Sequence, residues 1–319
     1  MKVLGISFGR KSKNCEILVK QGLRGAESAG ARVRFISTIN LNISHCTGCS
    51  ACSIARSKGK QIKCVVKDDF NSVAEAILDA DSVLVAAPVY CIAPTGQYKN
   101  LADRFGPAYD QYALTIEQEK RKREGAELLD ERVLKKRHVG YISVGGAHTQ
   151  NWVSLGLPSM HILGFPSGMI PVGQIDAYDM GQTGNPILNK DLMDTVFALG
   201  KRAAEAAGGK TEGAWVGDDG VCPVCHLNLV TLKGTTTVEC PLCGIEGKLS
   251  VEGDKVHVAF PPEQQARSRY TLAGKKEHID EIAGFRAVCG PKLEANKELL
   301  EKELEVLKQY PSASGERTW

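Results

Sequence analysis

Residues 2–15, Lys-Val-Leu-Gly-Ile-Ser-Phe-Gly-Arg-Lys-Ser-Lys-Asn-Cys, contain the pattern that decides the fold. The mostly apolar run from Lys2 to Ser7 predicts a buried β-strand, and a polar loop follows it directly. A helical pattern then begins near Cys15 and continues to about Ala29. A strand that leads through a polar loop into a helix is typical of the first unit of a doubly wound α/β sheet.

The same alternation continues along the chain. Further buried strands are predicted at residues 33–36, 82–87, 138–144 and 169–175. Asp68 and Asp69 stand where they could cap the helix that follows them, and residues 117–137 read as a solvated, highly charged helix. A helix over residues 191–207 ends at Gly208 and Gly209, which indicate a linker. The pattern predicts an α/β fold with a five-stranded parallel sheet covered on both faces.

Composition and charge limit the possible functions. The chain has 319 residues, 43% hydrophobic and 24% charged, which is typical of a globular protein with a sizeable core. A formal net charge of +3 does not indicate a nucleic-acid partner or a membrane surface. No signal peptide and no bilayer-spanning apolar stretch are recognisable, so we expect a cytoplasmic protein.

Three loops follow predicted strands and should meet at the carboxyl edge of the sheet. The first opens a helix, whose free N–H groups and positive dipole end favour an anion. It lacks the Gly-x-Gly-x-x-Gly fingerprint of dinucleotide sites, so a terminal phosphate monoester fits it better. An ordinary helix cap is the alternative interpretation. The other two loops contain Pro88-Val89-Tyr90 and Gly145-Gly146.

In this combination the chain resembles the NADPH-dependent FMN reductase family, which has a flavodoxin-like fold, and within it the iron–sulfur flavoproteins. The resemblance covers about the first 205 residues, roughly one domain. It implies that FMN is bound through its phosphate and along the edge of its isoalloxazine ring. The residues it implies for the phosphate are Ser7, Arg10, Ser12, Asn14 and Cys15. Those it implies for the ring are Pro88, Val89, Tyr90, Gly145 and Gly146.

Two further features depend on this resemblance. Lys99, Asp103 and Arg104 match the family's helix, and we predict a structural ion pair there. His148 stands where the family often has glycine, so it could reach the flavin or a substrate. A solvent-facing histidine or a dimer contact is the alternative. His148 is the one candidate for a catalytic residue, and no general acid can be assigned.

Eight of the eleven cysteines fall into two clusters. The first cluster is Cys46, Cys49 and Cys52 in a C-x2-C-x2-C run, with Cys64 after a gap of eleven residues. This spacing favours an iron–sulfur cluster, because a tight loop can present three thiolates to three irons. The resemblance implies a [4Fe–4S] cluster beside the flavin, although the family's fourth cysteine usually follows more closely. Free or redox-active thiols are the alternative.

The second cluster consists of two C-P-x-C knuckles, Cys222 with Cys225 and Cys240 with Cys243. Two such knuckles place four sulfurs on a tetrahedron, which predicts a metal site on a small zinc ribbon. A rubredoxin-like iron site is the alternative, but His226 replaces the glycine expected after the first knuckle. We therefore favour zinc as a structural staple for a module too small to fold on its own core.

These observations predict three segments: a flavodoxin-like domain at 1–208, a metal module at 213–260 and a helical tail at 261–319. The predicted function is that of an FMN-dependent oxidoreductase or electron-transfer flavoprotein. Electrons would come from NAD(P)H or ferredoxin through FMN and the [4Fe–4S] cluster, with an acceptor that the sequence does not name. No nucleic-acid or membrane partner is expected, and the resemblance implies a homodimer or homotetramer. The alternative function is a non-catalytic scaffold in which the metal ribbon docks a partner.

Overall fold

The computed structural model describes residues 1–60, 62–210 and 214–310. The chain divides into two compact units, one from Met1 to Gly274 and one that begins at Lys275. The first unit contains both the α/β sheet and the metal ribbon. The three predicted segments stay a prediction, and their residues Gly213 and 311–319 lie outside the described residues.

A parallel sheet forms the centre of the first unit. Its strand order is β2-β1-β3-β5-β6, and each of these strands runs parallel to its neighbours. A short strand β4 pairs antiparallel with the end of β3. The strands are β1 Lys2–Ser7, β2 Arg32–Ser37, β3 Ser82–Tyr90, β4 Ala93–Pro94, β5 His138–Val144 and β6 Ile170–Ala177. The prediction of a doubly wound sheet with five parallel strands is confirmed.

Helices cover both faces of this sheet. Their bounds are α1 Asn14–Ser28, α2 Ala51–Ser57, α3 Phe70–Asp79, α4 Gly96–Ala108, α5 Gln111–Glu124, α6 Gly156–Met160 and α7 Lys190–Ala207. One face packs against α1 and α7, and the other against α3, α4 and α5. The helices α1 and α7 touch through glycines, since a Cβ on Gly200 would lie 1.7 Å from the carbonyl oxygen of Gly22. The sheet is therefore buried on both sides, as its apolar strands require.

Two local predictions need correction. Of the two aspartates before α3, Asp68 accepts from the backbone N–H of Phe70 at 3.1 Å, whereas the side chain of Asp69 makes no capping hydrogen bond and accepts from the backbone N–H of Asn42. The charged segment 117–137 is not one solvated helix. Helix α5 ends at Glu124, and Glu117 and Arg121 form a buried ion pair of 2.8 Å within it. The partner of Asp69 is 27 residues away in sequence, and the burial of the Glu117–Arg121 pair depends on packing, so a local pattern reveals neither.

The metal ribbon is a four-stranded antiparallel sheet in the order β10-β9-β8-β7. Its strands are β7 Thr231–Leu232, β8 Thr237–Glu239, β9 Glu246–Glu252 and β10 Lys255–Ala259, and the helix α8 Pro262–Ala266 follows. The ribbon is joined to the edge strand β6 in two places. Val216 forms a parallel bridge with Gly173, and Gln174 Nε2 donates to the carbonyl of His226 at 2.6 Å. The ribbon and the α/β sheet therefore share one compact unit.

The second unit consists of the greater part of α9 Leu272–Ala295, together with α10 Lys297–Leu307. The predicted helix over residues 291–310 is interrupted at Asn296, which separates the two helices. Leucines at 300, 304 and 307 are exposed on α10. In the described ranges, every helix is too short or too polar to cross a membrane.

Candidate functional site

Loops that follow β1, β3, β5 and β6 meet at the carboxyl edge of the sheet. The backbone N–H of Phe8 bonds to Ala86 at 2.9 Å, which ties the first loop to β3. The backbone N–H of Met180 bonds to Gly145 at 2.9 Å, which ties the loop after β5 to the one after β6. Asn14 Nδ2 donates to the carbonyl of Met180 at 3.0 Å, which links the first loop to the last. The predicted flavin residues are thus brought to one edge.

The loop between β1 and α1 has the features of an anion site. Helix α1 begins after Lys13, whose side chain provides no capping hydrogen bond, so the first-turn N–H groups are not satisfied by a side-chain cap. Exposed side chains of Arg10, Lys11 and Lys13 add positive charge beside these groups. This arrangement fits the phosphate of FMN, because free N–H groups, a helix dipole and cations all favour a dianion there.

The polar residues of this loop differ in their burial and in their hydrogen bonds. Ser7 is buried and accepts from the N–H of Gly9 at 3.3 Å. Ser12 lies in the left-handed region at φ 54°, and its N–H is already bonded to Glu16 at 2.9 Å. Ser12 therefore has only its exposed hydroxyl to offer a ligand. Burial raises the pKa of the Cys15 thiol to about 12, so Cys15 stays neutral and packs beneath the loop.

The predicted ring-edge residues Pro88, Val89 and Tyr90 lie at the end of β3, where Tyr90 is 58% exposed. They lead into a two-residue turn in which Cys91 and Ile92 adopt φ values of 49° and 75°. Turns of this kind favour asparagine and glycine, and a β-branched residue in this region is strained. Strain of this size persists where the surrounding structure imposes it, often at ligand sites.

The loop after β5 holds Gly145, Gly146 and His148. A Cβ on Gly145 would lie 2.2 Å from Val153, so glycine is needed there for packing within the loop. Gly146 is exposed and its Cα side faces the backbone of Gly181. His148 is 89% exposed along its side chain and contacts the carboxylate of Asp179. The roles that the resemblance implies for these residues stay predictions.

The four ribbon cysteines form a preformed metal site. In the ranges that the structure describes, they are the one group of three or more candidate ligands whose atoms all lie within 4.8 Å of one another. The Sγ atoms of Cys222 and Cys243 are 3.7 Å apart, and those of Cys225 and Cys240 are 3.6 Å apart. Four sulfurs bound about 2.3 Å from one zinc ion on a tetrahedron would be about 3.8 Å apart. The spacing thus fits a single tetrahedral metal ion.

The two knuckles have the same backbone geometry. The N–H of His226 bonds to Cys222 at 2.9 Å, and the N–H of Gly244 bonds to Cys240 at 2.8 Å. His226 and Gly244 both lie in the left-handed region, with φ values of 55° and 68°. The ring of His226 stacks on Trp215 with centroids 3.7 Å apart. His226, with its ring stacked on Trp215, therefore adopts the left-handed conformation that Gly244 adopts in the second knuckle. Glycine adopts this conformation without strain.

The first cysteine cluster has a more open arrangement. Cys46 and Cys49 are exposed, Cys52 and Cys64 are half-buried, and all four line one cavity with Arg104. A cubane spreads its thiolates over different irons, so its sulfurs need not approach as closely as those around one ion. A backbone hydrogen bond from Ala51 lowers the pKa of Cys49, which favours the thiolate that metals bind.

Arg104 lines this cavity and contacts Cys64. It forms a two-pronged ion pair with Asp68 at 2.6 and 2.9 Å, and both side chains are only 1% exposed. Its Nη2 also donates to Cys64 Sγ at 3.2 Å, while its guanidinium lies 4.2 Å from the ring centre of Phe70. The predicted structural pair on this helix is therefore two separate features. Lys99 and Asp103 form an exposed pair, and Arg104 binds a distant acid.

A second cavity, of 170 Å³, lies between the carboxyl end of β6 and the first knuckle of the ribbon. Asp176 lines it near the end of β6, next to Ser143 on β5 in the parallel register. Burial raises the pKa of Asp176 from 3.8 to about 6, and repulsion from Asp218 adds to the shift. Sequence reasoning missed Asp176, because a lone aspartate in a strand is informative only when its burial is known.

The raised pKa of Asp176 predicts a pH-dependent stability. The folded protein holds this proton more tightly than the unfolded chain, so stability should fall as pH rises from about 4 to above 6. Asp176→Asn removes the cost of ionising a buried carboxyl group. It should therefore raise the free energy of unfolding by about 2 kcal/mol at pH 8, with no gain at pH 3.5.

Urea denaturation at the two pH values measures this difference. Asp219→Asn is the matched control, because Asp219 lies on the neighbouring linker and is 89% exposed along its side chain. We expect no pH-dependent gain from the control. An Asp176→Asn gain that is equal at both pH values would contradict the assignment.

Known proteins are similar to this chain over most of its length. The family model described as NADPH-dependent FMN reductase matches residues 1–176. Flavone synthase cfoJ of Aspergillus candidus is 31% identical over 297 residues, which cover 88% of each protein. An iron–sulfur flavoprotein of Methanocaldococcus jannaschii is 27% identical over 213 residues, 64% of this chain and 96% of its own. A solved structure of a flavone reductase matches with a TM-score of 0.82 and 27% identity, covering 99% of this chain and 100% of that one.

The fold and the family match define a flavodoxin-like flavoprotein. The chain belongs to the NADPH-dependent FMN reductase family. It is a flavin-dependent oxidoreductase, and FMN is the flavin of its family. The predictions of fold, family and enzyme class are therefore confirmed, and the scaffold alternative is not needed.

Proposed function

We propose that this protein is an FMN-dependent oxidoreductase that adds or removes two hydrogens at the carbon–carbon double bond of a flavone-class ketone. The observation that carries the proposal is similarity to a flavone synthase and a flavone reductase along nearly the whole chain, including the ribbon. Those two names describe opposite directions of one redox change. Reduction breaks the ring C=C π bond and forms two C–H bonds, and a nicotinamide donor supplies the electrons.

Several residues of this chain would hold FMN. Arg10, the Ser12 hydroxyl and the first-turn N–H groups of α1 would bind the phosphate. Tyr90 and the backbone of Gly146 are the exposed groups of the ring-edge set. FMN, when bound, supplies a two-electron carrier that exchanges hydride with an organic substrate. The protein's own contribution is to hold the substrate against that carrier and to exclude water.

We further propose that Cys46, Cys49, Cys52 and Cys64 hold a [4Fe–4S] cluster. The shared cavity, the thiolate-favouring hydrogen bond at Cys49 and the buried Arg104 behind Cys64 support this. Such a cluster would let the protein accept single electrons from ferredoxin as well as hydride equivalents from NAD(P)H. Free redox-active thiols stay the alternative, and iron and sulfide analysis of anaerobically purified protein distinguishes the two.

For the ribbon we propose zinc. The buried all-sulfur tetrahedron suits zinc or iron, but His226 departs from the glycine pattern of iron ribbons.

The assembly that we propose is a homodimer or homotetramer.

The proposed reaction is tested by anaerobic turnover. The purified full chain, loaded with FMN, is given NADPH or NADH together with flavone, and the product is identified by chromatography and mass. We expect the mass of the flavone to increase by two hydrogens, with turnover that needs a nicotinamide. A flavin that is reduced by the nicotinamide while flavone and flavanone both stay unchanged would overturn the flavone-class substrate but not the enzyme class.

Arg10→Ala provides the variant for the flavin site. We expect about 10- to 100-fold weaker FMN binding, because a charged hydrogen bond to phosphate is lost. Lys136→Ala is the matched control, since Lys136 is an exposed cation just before β5, at the opposite edge of the sheet. Equal FMN affinity in both variants would contradict the proposed phosphate site.

A further inference from the structure

The cavity beside Asp176 is walled by six parts of the first unit. Gln150 and Ser154 come from the loop after β5, which also contains Gly145 and Gly146 of the predicted flavin edge. The other parts are α6, the end of β6, α7, the linker at Gly217 and the first knuckle of the ribbon. The knuckle residues that line it are His226, Leu227, Asn228 and Leu229. The metal ribbon therefore forms part of this cavity, and the loop after β5 both lines the cavity and contains residues predicted to contact the flavin ring.

Size limits what this cavity can hold. It measures 170 Å³, and a protein cavity of about 150 Å³ is known to bind benzene. One six-membered aromatic ring with a substituent fits, whereas a nucleotide does not. Leu157, Pro158 and Leu229 give the cavity apolar walls that suit the faces of such a ring.

Charge limits the ligand further. Asp176 and Asp218 both line the cavity, and its lining among the described residues contains no lysine or arginine. Phosphate groups and carboxylates are therefore repelled, which excludes the nicotinamide nucleotide from this position. A ligand that donates a hydrogen bond is favoured.

Two neighbouring polar atoms at this place are buried without a well-aligned hydrogen bond, namely Asp176 Oδ1 and the hydroxyl of Ser143, a residue only 1% exposed. The hydroxyls of Ser143 and Tyr178 still lie close enough to Asp176 to lower its pKa by hydrogen bonding. Buried polar groups in native proteins are almost always paired, and exceptions need an explanation. An ionised carboxylate can accept about four hydrogen bonds, so Asp176 can accept a further one from a donor that enters the cavity.

We propose that this cavity binds one hydroxylated aromatic ring of the substrate, and that Asp176 accepts a hydrogen bond from its phenolic hydroxyl. This inference rests on the proposed flavone-class substrate and adds the group that recognises it. It also gives the ribbon a role in function, because the folded knuckle supplies one wall of the substrate site. Asp176 is then a specificity residue, and it discriminates substrates by their hydroxyl groups.

Three side chains affect the pKa of Asp176 besides its burial. Hydrogen bonding with the hydroxyls of Ser143 and Tyr178 lowers this pKa, and Asp218 on the linker raises it. His226 lines the same cavity from the knuckle. Binding is therefore measured at pH 8, well above the pKa of about 6, where the carboxylate is ionised and can accept.

The test is a binding cycle on the FMN-loaded full chain without an electron donor. The ligands are flavone, 4′-hydroxyflavone and 7-hydroxyflavone, and the proteins are the wild type, Asp176→Asn and the control Asp219→Asn. Quenching of tryptophan fluorescence reports binding, because Trp215 stacks on His226 at the cavity wall. We expect one hydroxyflavone to bind the wild type and the control about 10- to 100-fold more tightly than flavone. In Asp176→Asn that preference should shrink to less than about 3-fold, with flavone itself little affected.

Leu229→Phe is the second variant, since a larger side chain should fill the cavity. We expect it to weaken all three flavones about 10-fold or more and to leave FMN binding unchanged. If the hydroxyl preference is the same in Asp176→Asn as in the wild type while flavones are still turned over, the inference is overturned and the proposed function stands. If none of the three flavones binds the wild type, both are overturned.

Discussion

Cys240→Ser is expected to abolish metal binding by the ribbon and to unfold strands β7 to β10. The four Sγ atoms are completely buried and lie at the spacing of a tetrahedral site. The ribbon is held by few buried apolar side chains of its own, chiefly Leu227, Val238 and Ile245. Structural zinc sites contribute about 10–16 kcal/mol in small zinc-finger peptides, far more than such a core supplies. Loss of one sulfur should therefore remove most of the ribbon's stability.

The measurement is metal content together with hydrogen exchange over residues 222–260. In the variant we expect less than stoichiometric metal and loss of amide protection in β8 and β9, with protection of β1 and β3 retained. Cys289→Ser is the matched control, because Cys289 is an exposed cysteine in α9. A Cys240→Ser protein that keeps both its metal and its protected ribbon would refute the proposed role of the site.

Arg104→Leu is expected to lower the free energy of unfolding by about 3–5 kcal/mol at pH 7, because it leaves Asp68 as an unpaired buried charge. Burial raises the pKa of Asp68, but hydrogen bonds from Arg104 and from the backbone N–H groups of Ser44 and Phe70 together lower it to about 2. A lowered carboxyl pKa stabilises the fold above pH 4. That contribution is lost as pH falls through about 2, so the difference between variant and wild type should narrow on acidification.

Lys99→Ala is the control for this experiment. Lys99 and Asp103 pair on the same helix, but their side chains are 57% and 41% exposed, so we expect a loss of at most about 0.5 kcal/mol. Urea denaturation at pH 7 and pH 3 compares the two variants. Equal losses from Arg104→Leu and Lys99→Ala would show that burial of the Asp68 pair contributes nothing. We also expect Arg104→Leu to lower the iron content of the Cys46 site, because the donor to Cys64 is lost.

Much of the fold follows from local pattern. The predicted first strand, Lys2 to Ser7, has the observed bounds, because a short apolar run between polar loops has few alternatives. The two C-P-x-C knuckles predicted the metal site equally well, since close sequence spacing fixes four sulfurs in space. Where a feature is built from residues that are close together in the chain, the sequence is sufficient to predict it.

What could not be predicted depends on distant partners. Arg104 lies on a helix with Lys99, yet it binds Asp68, which is 36 residues away. Gln174 joins the ribbon to β6 through His226, 52 residues further along the chain. The cavity beside Asp176 exists only because that docking brings the knuckle to the sheet edge. No periodicity or motif encodes these contacts, because they arise from packing between elements.

The central claim is that this chain is an FMN enzyme driven by a nicotinamide. The most direct test is the visible absorption spectrum of the purified full chain, recorded under anaerobic conditions before and after addition of NADPH. We predict flavin bands from FMN bound in stoichiometric amount, and bleaching of those bands by NADPH. A protein that takes up no FMN, or a bound flavin that neither NADPH nor NADH reduces, would contradict the account.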